Sequence, residues 1–201
     1  MHAELLPRFG FDEEGTTLDL RSHFDESLRI CLEIGSGNGD LSSHVARHRP
    51  DVAVVAVDVH RPGIARLLDD IATHALANLR VVEGDAMSFV ERLTPGSIDE
   101  MWIFFPDPWP KNAQAHRRLV SAERVRRLAR VMRPGAILRL ATDVSSYATT
   151  SRAVIDRSGL FESTTLERPE WRIETAFERA GRSAGRDAVD VAAVRNATAV
   201  V

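Results

Sequence analysis

Cysteine and long apolar runs are almost absent from this chain. The single cysteine, Cys31, cannot form an intramolecular disulfide, and its apolar surroundings predict a buried, unreactive thiol. No apolar run approaches the roughly 20 residues that a membrane-spanning helix needs. The N-terminus lacks a basic stretch followed by an apolar segment and a cleavage site, so we expect a cytoplasmic protein. Cys31 and the scattered histidines lack the spacing of metal ligands, and no metal site is expected.

Basic residues are concentrated in one segment, although the whole chain has a net charge of −3. From Lys111 to Arg139 there are nine basic residues and one acid, Glu123, which gives this segment a charge of +8. Acidic residues gather instead between Asp12 and Glu26. This polarity favours a polyanionic partner such as a nucleic acid, although a solvated arginine-rich helix face has the same composition.

Short β-branched runs alternate with stretches of helical periodicity from Arg29 onward, which predicts a mostly parallel α/β sheet with crossover helices. Strands are predicted at residues 29–34, 52–58, 79–83, 98–104 and 136–141. Helices are predicted at 40–48, 62–74, 86–93 and 117–132, and after Asp143. The runs 161–166 and 188–195 have no long helix between them and predict an antiparallel edge.

The length of 201 residues fits one domain of ordinary size. We expect residues 29–201 to form that domain. Residues 1–28 are expected to be a lead-in that packs on the core or stays mobile.

A glycine-rich turn follows the first predicted strand, with glycines at Gly35, Gly37 and Gly39. Glycine permits a sharp turn and lets a ligand approach the backbone closely. The spacing is G-x-G-x-G and not the G-x-G-x-x-G of dinucleotide enzymes, so a bound pyrophosphate is not indicated. Packing alone would also explain such a turn.

Carboxylates follow the same edge of the predicted sheet. Asp58 ends the second strand at a spacing suited to ribose hydroxyls, and Asp85 follows the third strand, where it can meet an adenine amino group. Both also suit helix N-caps. Glu33 adds a negative charge beside the turn, which favours a cationic ligand such as a sulfonium with an α-amino group.

A proline-rich segment follows the fourth predicted strand and reads Phe-Phe-Pro-Asp-Pro-Trp-Pro-Lys at residues 104–111. Its prolines hold Asp107 and Lys111 on a stiff loop. With this segment the chain resembles the bacterial tRNA (guanine-N7)-methyltransferase family, whose hallmark is Phe-Pro-Asp-Pro-Trp followed by Pro-Lys. The resemblance extends from about Glu4 to Val191 and includes residues 32–39, 57–63, 84–86, 140–147 and 175–178.

The resemblance implies a Rossmann-like S-adenosylmethionine-dependent methyltransferase fold. It implies methyl transfer to N7 of a guanosine in the tRNA variable loop, position 46 in tRNA numbering. The implied cofactor contacts, besides the three glycines, are Glu33, Asp58, Asp85, Ala86 and Asp107. The implied tRNA or guanosine contacts are Lys111, Asp143, Thr175, Ala176, Phe177 and Glu178.

Each residue on the tRNA side also has a purely structural interpretation. Lys111 fits a surface lysine, and Asp143 fits an N-cap of the following helix. Thr175 with Glu178 fits a capping box of the Ser/Thr-x-x-Glu type.

The chemistry suits these residue types. Guanine N7 has an in-plane lone pair and no proton, so its attack on a sulfonium methyl group needs positioning more than a base. The guanine gains positive charge, which Asp107 or Asp143 can stabilise, and Asp107 is our candidate catalytic residue. We also predict that Asp143 or Glu178 accepts hydrogen bonds from guanine N1 and N2.

Four arginines of the basic segment are predicted to contact tRNA phosphates: Arg117, Arg118, Arg124 and Arg127. Phe105 and Trp109 are expected to stack on an extruded base or, more commonly, to pack within the loop.

Several positions depart from the family pattern. Lys111 is followed by Asn-Ala-Gln-Ala-His rather than a dense basic run, and Asp58, Ala176 and Arg186 replace the usual glutamate, lysine and histidine. The N-terminal basic stretch is also absent. These departures allow a catalytically weak or silent relative that binds S-adenosylmethionine or RNA. A nicotinamide-dependent oxidoreductase is a further alternative, against which the glycine spacing argues.

Overall fold

A seven-stranded sheet forms the centre of the computed structural model, which describes residues 2–197. The strands are β1 (Arg29–Ile34), β2 (Val52–Asp58), β3 (Leu79–Glu83), β4 (Ile98–Phe104), β5 (Met132–Thr142), β6 (Phe161–Thr164) and β7 (Val189–Arg195). Their order is β3-β2-β1-β4-β5-β7-β6. Strands β1 to β5 are parallel, whereas β7 is antiparallel to both β5 and β6. The predicted α/β sheet with an antiparallel edge is therefore confirmed.

Seven α-helices surround the sheet: α1 (His2–Phe9), α2 (Asp40–His48), α3 (Arg61–His74), α4 (Ala86–Arg92), α5 (Ala122–Val131), α6 (Ser145–Arg157) and α7 (Ala176–Ser183) are those of the described residues. Helices α2 to α5 connect consecutive parallel strands, whereas α1 precedes β1. Strands β1 and β4 are neighbours, and from them the chain winds outward in opposite directions. Such a switch opens a crevice at the carboxyl ends of the two strands, where ligands bind in open α/β sheets.

The core lies on both faces of the sheet. Strand β2 is buried at every position except Asp58, where it reaches the carboxyl edge. Val55 and Val57 pack in a cluster on one face, and Val54 and Ala56 pack in a second cluster on the other. A strand buried on both faces is apolar throughout, and this continuous pattern is why β2 could be located from the sequence.

The predicted helix at residues 117–132 is wrong at its start. A 3₁₀ helix spans Asn112–Arg117, and α5 begins only at Ala122. The hydroxyl of Ser121 caps α5 by accepting from the amide of Arg124 over 3.4 Å. Val120 is buried, and its amide donates to the hydroxyl of Tyr147. These tertiary contacts separate two segments that helical periodicity joined.

The last two strands also differ from expectation in detail. Strand β6 ends at Thr164 and not at residue 166, and the eight-residue helix α7 lies between β6 and β7. This short helix returns the chain to the carboxyl edge of the sheet, next to the glycine-rich turn.

The residues before β1 lie against the sheet and its helices. The amide of Phe11 donates to the carbonyl of Val81 over 2.9 Å, and the amide of Leu18 donates to the carbonyl of Arg92 over 2.7 Å. Phe11 and Leu18 also pack against the core. In the described part of the chain, no helix is long and apolar enough to cross a membrane.

Candidate functional site

The glycine-rich turn between β1 and α2 lies at the carboxyl edge, beside the switch between β1 and β4. Gly35, Gly37 and Gly39 have φ angles of 81°, 57° and 79°, which residues with a Cβ rarely adopt. Gly39 also stands at the N-cap position of α2. The sequence thus places bare backbone where a ligand in the crevice would meet it.

Asp58 braces this turn from the end of β2. Its Oδ2 accepts from the amide of Gly37 over 2.6 Å, and its Oδ1 accepts from the amide of His60 over 2.8 Å. A carboxylate offers about four acceptor sites, so two such bonds leave it able to accept more. Asp58 can therefore shape the turn and bind a ligand hydroxyl at the same time.

Glu33 is a buried carboxylate directly before the turn, with only 3% of its surface exposed. Burial, and then the charge of Asp58, raise its pKa to about 7, against the opposing effect of a hydrogen bond from the hydroxyl of Ser42. The buried Ser36 hydroxyl beside it has no hydrogen-bond partner within residues 2–197. Glu33 and Ser36 line one narrow recess, which offers a negative charge and an unsatisfied hydroxyl to a ligand.

The recess adjoins a cleft of about 350 Å³. The predicted cofactor residues Gly35, Gly37, Asp58 and Asp107 all line this cleft. Phe177 and Phe105 line both the cleft and the recess. Residues from four separate stretches of the chain are thus brought to one concave site, as the sequence predicts for the end of a parallel sheet.

Asp85 and Ala86 lie outside that lining as far as the described residues show. The Oδ1 atom of Asp85 accepts from the amide of Ser88 over 2.8 Å, so the alternative interpretation of Asp85 as the N-cap of α4 is confirmed. The amide of Asp85 donates to the carboxylate of Glu13 from the N-terminal segment. Ala86 is the first residue of α4.

The loop after β4 is held in an unusual backbone conformation. Phe105 and Trp109 have φ angles of 52° and 40°, in the left-handed region that costs free energy for residues with a Cβ. Asp107 and Lys111 are exposed on this loop. The prolines between them make the loop a stiff support for both polar groups, and Asp107 also lines the cleft.

Three of the four arginines predicted to contact phosphate bind this loop or the segment next to it. Arg118 donates from Nε and Nη2 to the carbonyl of Trp109, over 3.1 and 3.0 Å, and the guanidinium of Arg117 lies 3.8 Å from the centre of the Trp109 ring. Arg124 donates to the carbonyls of Arg117 and Arg118, each over 3.0 Å. Arg127 instead forms ion pairs with Glu91 and Glu123 on the helix surface.

Asp143 follows β5 at the same edge. Its Oδ2 accepts from Nε of Arg186 over 2.7 Å, and a Cβ on Gly181 of α7 would lie 2.7 Å from that oxygen. The interpretation of Asp143 as a helix N-cap is wrong, because Val144 occupies that position and α6 has no side-chain cap. Asp143 therefore faces α7.

Helix α7 begins with the segment from Thr175 to Glu178. The hydroxyl of Thr175 accepts from the amide of Glu178 over 3.4 Å, which confirms half of the predicted capping box. The side chain of Glu178 does not return to Thr175; it is 7% exposed and binds Arg168. Phe177 is 62% exposed, and its ring lies 3.0 Å from where a Cβ on Gly37 would stand.

Comparison with known proteins identifies the family. Residues 27–191 match the sequence model of a family described as "Putative methyltransferase". The chain is 38% identical over 200 residues to a "tRNA (guanine-N(7)-)-methyltransferase" of Nitrosomonas europaea, which covers 98% of this chain and 89% of that protein. The chain belongs to the tRNA (guanine-N(7)-)-methyltransferase family.

Solved methyltransferase structures share the fold of this family member. The aminoglycoside resistance methyltransferase NpmB1 superposes with a TM-score of 0.66 at 16% identity, over 90% of this chain and 95% of that chain. A 16S rRNA (adenine(1408)-N(1))-methyltransferase variant from Catenulisporales acidiphilia, solved with its cosubstrate SAM, superposes with a TM-score of 0.60 at 17% identity, over 90% of each chain. At these identities the likeness concerns the fold. The family assignment sets aside the oxidoreductase alternative.

Sequence reasoning missed a cluster of charges beside the site of this family member. Arg168 binds the carboxylate of Glu178 with both terminal nitrogens, and Arg172 is 3% exposed and lies 3.3 Å from Asp190. Burial lowers the pKa of Arg172, whereas Asp190 and Glu178 act in the opposite direction. A buried arginine needs such partners. The two arginines stand four residues apart in a segment without regular structure, and this spacing gave no pattern to interpret.

The prediction for Cys31 is confirmed. The thiol is buried, and burial raises its pKa well above the usual range, so it is not activated as a nucleophile. Within residues 2–197, no group of three or more histidine, cysteine or acidic side chains is arranged to hold a metal ion.

Proposed function

We propose that this protein transfers a methyl group from S-adenosylmethionine to N7 of a guanosine in the tRNA variable loop, at position 46. The observation that carries the proposal is the single site in which the Glu33 recess, the glycine turn and Asp107 meet, in a chain 38% identical to a tRNA (guanine-N(7)-)-methyltransferase. We also propose that residues 29–201 form the catalytic domain, and that the protein acts in the cytoplasm on tRNA.

The recess suits the amino-acid end of S-adenosylmethionine. Glu33 offers a negative charge to the α-ammonium group, and the unsatisfied Ser36 hydroxyl offers a further polar contact. The turn at Gly35, Gly37 and Gly39 permits close approach, and Asp58 keeps acceptor sites for ribose hydroxyls. Asp85 and Ala86 are proposed to border the adenine end. The bound cofactor supplies an electrophilic methyl group.

The residues around the cleft would act mainly by positioning. Guanine N7 has no proton to lose, so the site must align its lone pair with the methyl group and exclude water. Asp107 lies on the rim of the cleft, where its carboxylate can stabilise the positive charge that develops on the guanine ring. Asp107 is therefore the proposed catalytic residue.

The tRNA is proposed to bind across the loop after β4 and the neighbouring helices. Thr175, Ala176 and Phe177 line the recess beside the cleft. Together with Lys111, Asp143 and Glu178, they are the proposed contacts to tRNA or guanosine. Arg117, Arg118, Arg124 and Arg127 are the proposed phosphate contacts. Each of these arginines already has partners within the chain, so free N–H groups of the same guanidinium ions would make those contacts.

The direct test is incubation of the purified protein with unmodified tRNA and labelled S-adenosylmethionine, followed by mass spectrometry of the nucleosides. We expect N7-methylguanosine in the tRNA digest. Cofactor binding without N7-methylguanosine would contradict the proposal and favour a silent relative that only binds S-adenosylmethionine or RNA.

A further inference from the structure

Phe177 lies between the two parts of the proposed cofactor site. Phe177 lines the recess that contains Glu33, and it also lines the cleft that contains Asp58 and Asp107. Its ring lies against the glycine turn, 3.0 Å from the Cβ position of Gly37. A large apolar ring that stays 62% exposed gains little from its own burial. Its position must therefore be set by the rest of α7.

Glu178, the next residue, ties α7 to the body of the protein. Its Oε2 accepts from Nη2 of Arg168 over 3.0 Å, and its Oε1 accepts from Nη1 of the same guanidinium. The same Arg168 donates from Nε and Nη2 to the carbonyl of Arg172, over 3.1 and 2.9 Å. Such a two-pronged arginine–carboxylate pair fixes direction as well as distance. Glu178 points inward, so its neighbour Phe177 points over the turn.

Arg172 links this carboxylate to the other side of the site. Its guanidinium lies 4.9 Å from the ring centre of Phe104 and 5.9 Å from that of Phe105, which line the cleft and the recess. Its Nη2 lies 3.7 Å from Oε2 of Glu178 and makes no hydrogen bond within the described chain. Arginine stacks on aromatic faces and pairs with carboxylates at once, which a lysine cannot do equally well.

We propose that Arg172 and Arg168 are positioning residues that act through Glu178 to hold Phe177 over the glycine turn, and that this contact sets the affinity for the methyl donor. Glu178 then serves the cofactor side of the site, and this role replaces the guanosine contact that the family resemblance implies for it. This inference rests on the proposed use of S-adenosylmethionine. The buried Arg172 is the residue whose guanidinium lies near both Glu178 of α7 and the Phe104 ring of the cleft.

The test measures S-adenosylmethionine binding by calorimetry without tRNA, for the full chain and its Phe177→Ala, Glu178→Gln and double variants. Each single change is expected to raise the dissociation constant for S-adenosylmethionine about tenfold. The double variant is expected to bind the cofactor no more weakly than either single variant does. Non-additivity is expected because both changes remove the same contact. A merely structural role for Glu178 would instead give effects that add to about a hundredfold.

Arg172 is tested with two variants, one that removes its charge and one that keeps it. Arg172→Met should weaken binding as much as Glu178→Gln, and Arg172→Lys should recover part of the loss because it restores the charge without the planar fork. If Arg172→Met does not fold, the nearly isosteric Glu178→Gln carries the test. Arg182→Met removes an exposed ion pair with Glu174 from the same helix and is the matched control, expected to bind as the wild type does.

Three results would overturn the inference. They are wild-type cofactor affinity in a folded Glu178→Gln protein, additive effects in the double variant, or a raised KM for tRNA with unchanged cofactor affinity. The last result would place Glu178 on guanosine. A wild-type protein that does not bind S-adenosylmethionine would overturn the proposed function as well, so the two failures are distinguishable.

Discussion

Gly63 of α3 and Gly37 of the glycine turn are in such close contact that a Cβ on Gly63 would stand 1.7 Å from the carbonyl oxygen of Gly37. No Cβ tolerates such a distance, so the two backbone segments can approach this closely only because residue 63 has no side chain. The contact joins α3 to the turn that the cofactor is proposed to approach.

Gly63→Ala is expected to displace the turn. Alanine suits a helix better than glycine, but the steric clash should cost about 1–3 kcal/mol of unfolding free energy and weaken S-adenosylmethionine binding about tenfold. Thermal unfolding and calorimetry measure the two effects. Thr73→Ala, at an exposed position of the same helix, is the control. Wild-type cofactor affinity in Gly63→Ala would contradict this account of the turn.

Cofactor affinity should depend on pH through Glu33. Its pKa is raised to about 7, and the cationic ligand favours the ionised carboxylate, so binding should strengthen as the pH rises from 6 to 8. Binding at pH 6 should release protons, seen as a dependence of the binding enthalpy on the buffer. Glu33→Gln should remove the proton release. A proton release that persists in that variant would show that another group is responsible.

The same carboxylate should affect stability with the opposite sign. Between pH 4.5, the ordinary pKa of a glutamate, and about pH 7, Glu33 holds more protons in the folded protein than in the unfolded chain. Its contribution to the free energy of unfolding should therefore fall as the pH rises through this window. Denaturant titrations of the wild type and Glu33→Gln at pH 5 and pH 8 should show the variant relatively more stable at pH 8. Equal differences at the two pH values would contradict this.

Arg118 is expected to hold the loop after β4, through the carbonyl of Trp109. Arg118→Met should speed hydrogen exchange in residues 105–111 and lower kcat about tenfold, because the loop carries Asp107. Arg126→Met, at an exposed position on α5, should leave the exchange of that loop unchanged. If Arg118 only contacts phosphate, its loss should leave loop exchange alone and reduce the salt slope of tRNA binding by about 0.9.

Asp107→Asn tests the proposed electrostatic stabilisation. The side chain is exposed, so folding should be unaffected, while kcat should fall by about 10² because the charge on the product guanine loses its partner. The KM for S-adenosylmethionine should change much less than kcat. Glu26→Gln, an exposed carboxylate before β1, is the control. A normal kcat in Asp107→Asn would remove Asp107 from the proposed catalytic role.

The first four parallel strands have the predicted bounds, as β1 and β2 illustrate, whereas β5 begins at Met132, four residues before its predicted start. Each strand is a buried apolar run with a carboxylate near its end. In β1 this residue is Glu33, just before the glycine turn, and in β2 it is Asp58. The start of α5 could not be predicted, because the buried Val120 and the Ser121 cap are tertiary features. Local sequence patterns predict well which strands are buried, but they predict long-range packing poorly.

The candidate site divides in the same way. Asp58 ends β2 and Asp85 follows β3, and both suit a ligand contact or an N-cap from the sequence, yet Asp58 lines the cleft and Asp85 caps α4. Arg172 and Glu178 form a buried pair only because of where α7 packs. Local sequence periodicity does not predict that packing.

The central claim is tested most directly with two tRNA transcripts that differ only at position 46 of the variable loop. One carries guanosine at that position and the other carries adenosine, and transfer of labelled methyl groups to each is counted. We expect one methyl group per molecule, as N7-methylguanosine, in the first transcript and none in the second. Equal labelling of both transcripts, or of neither, would contradict it.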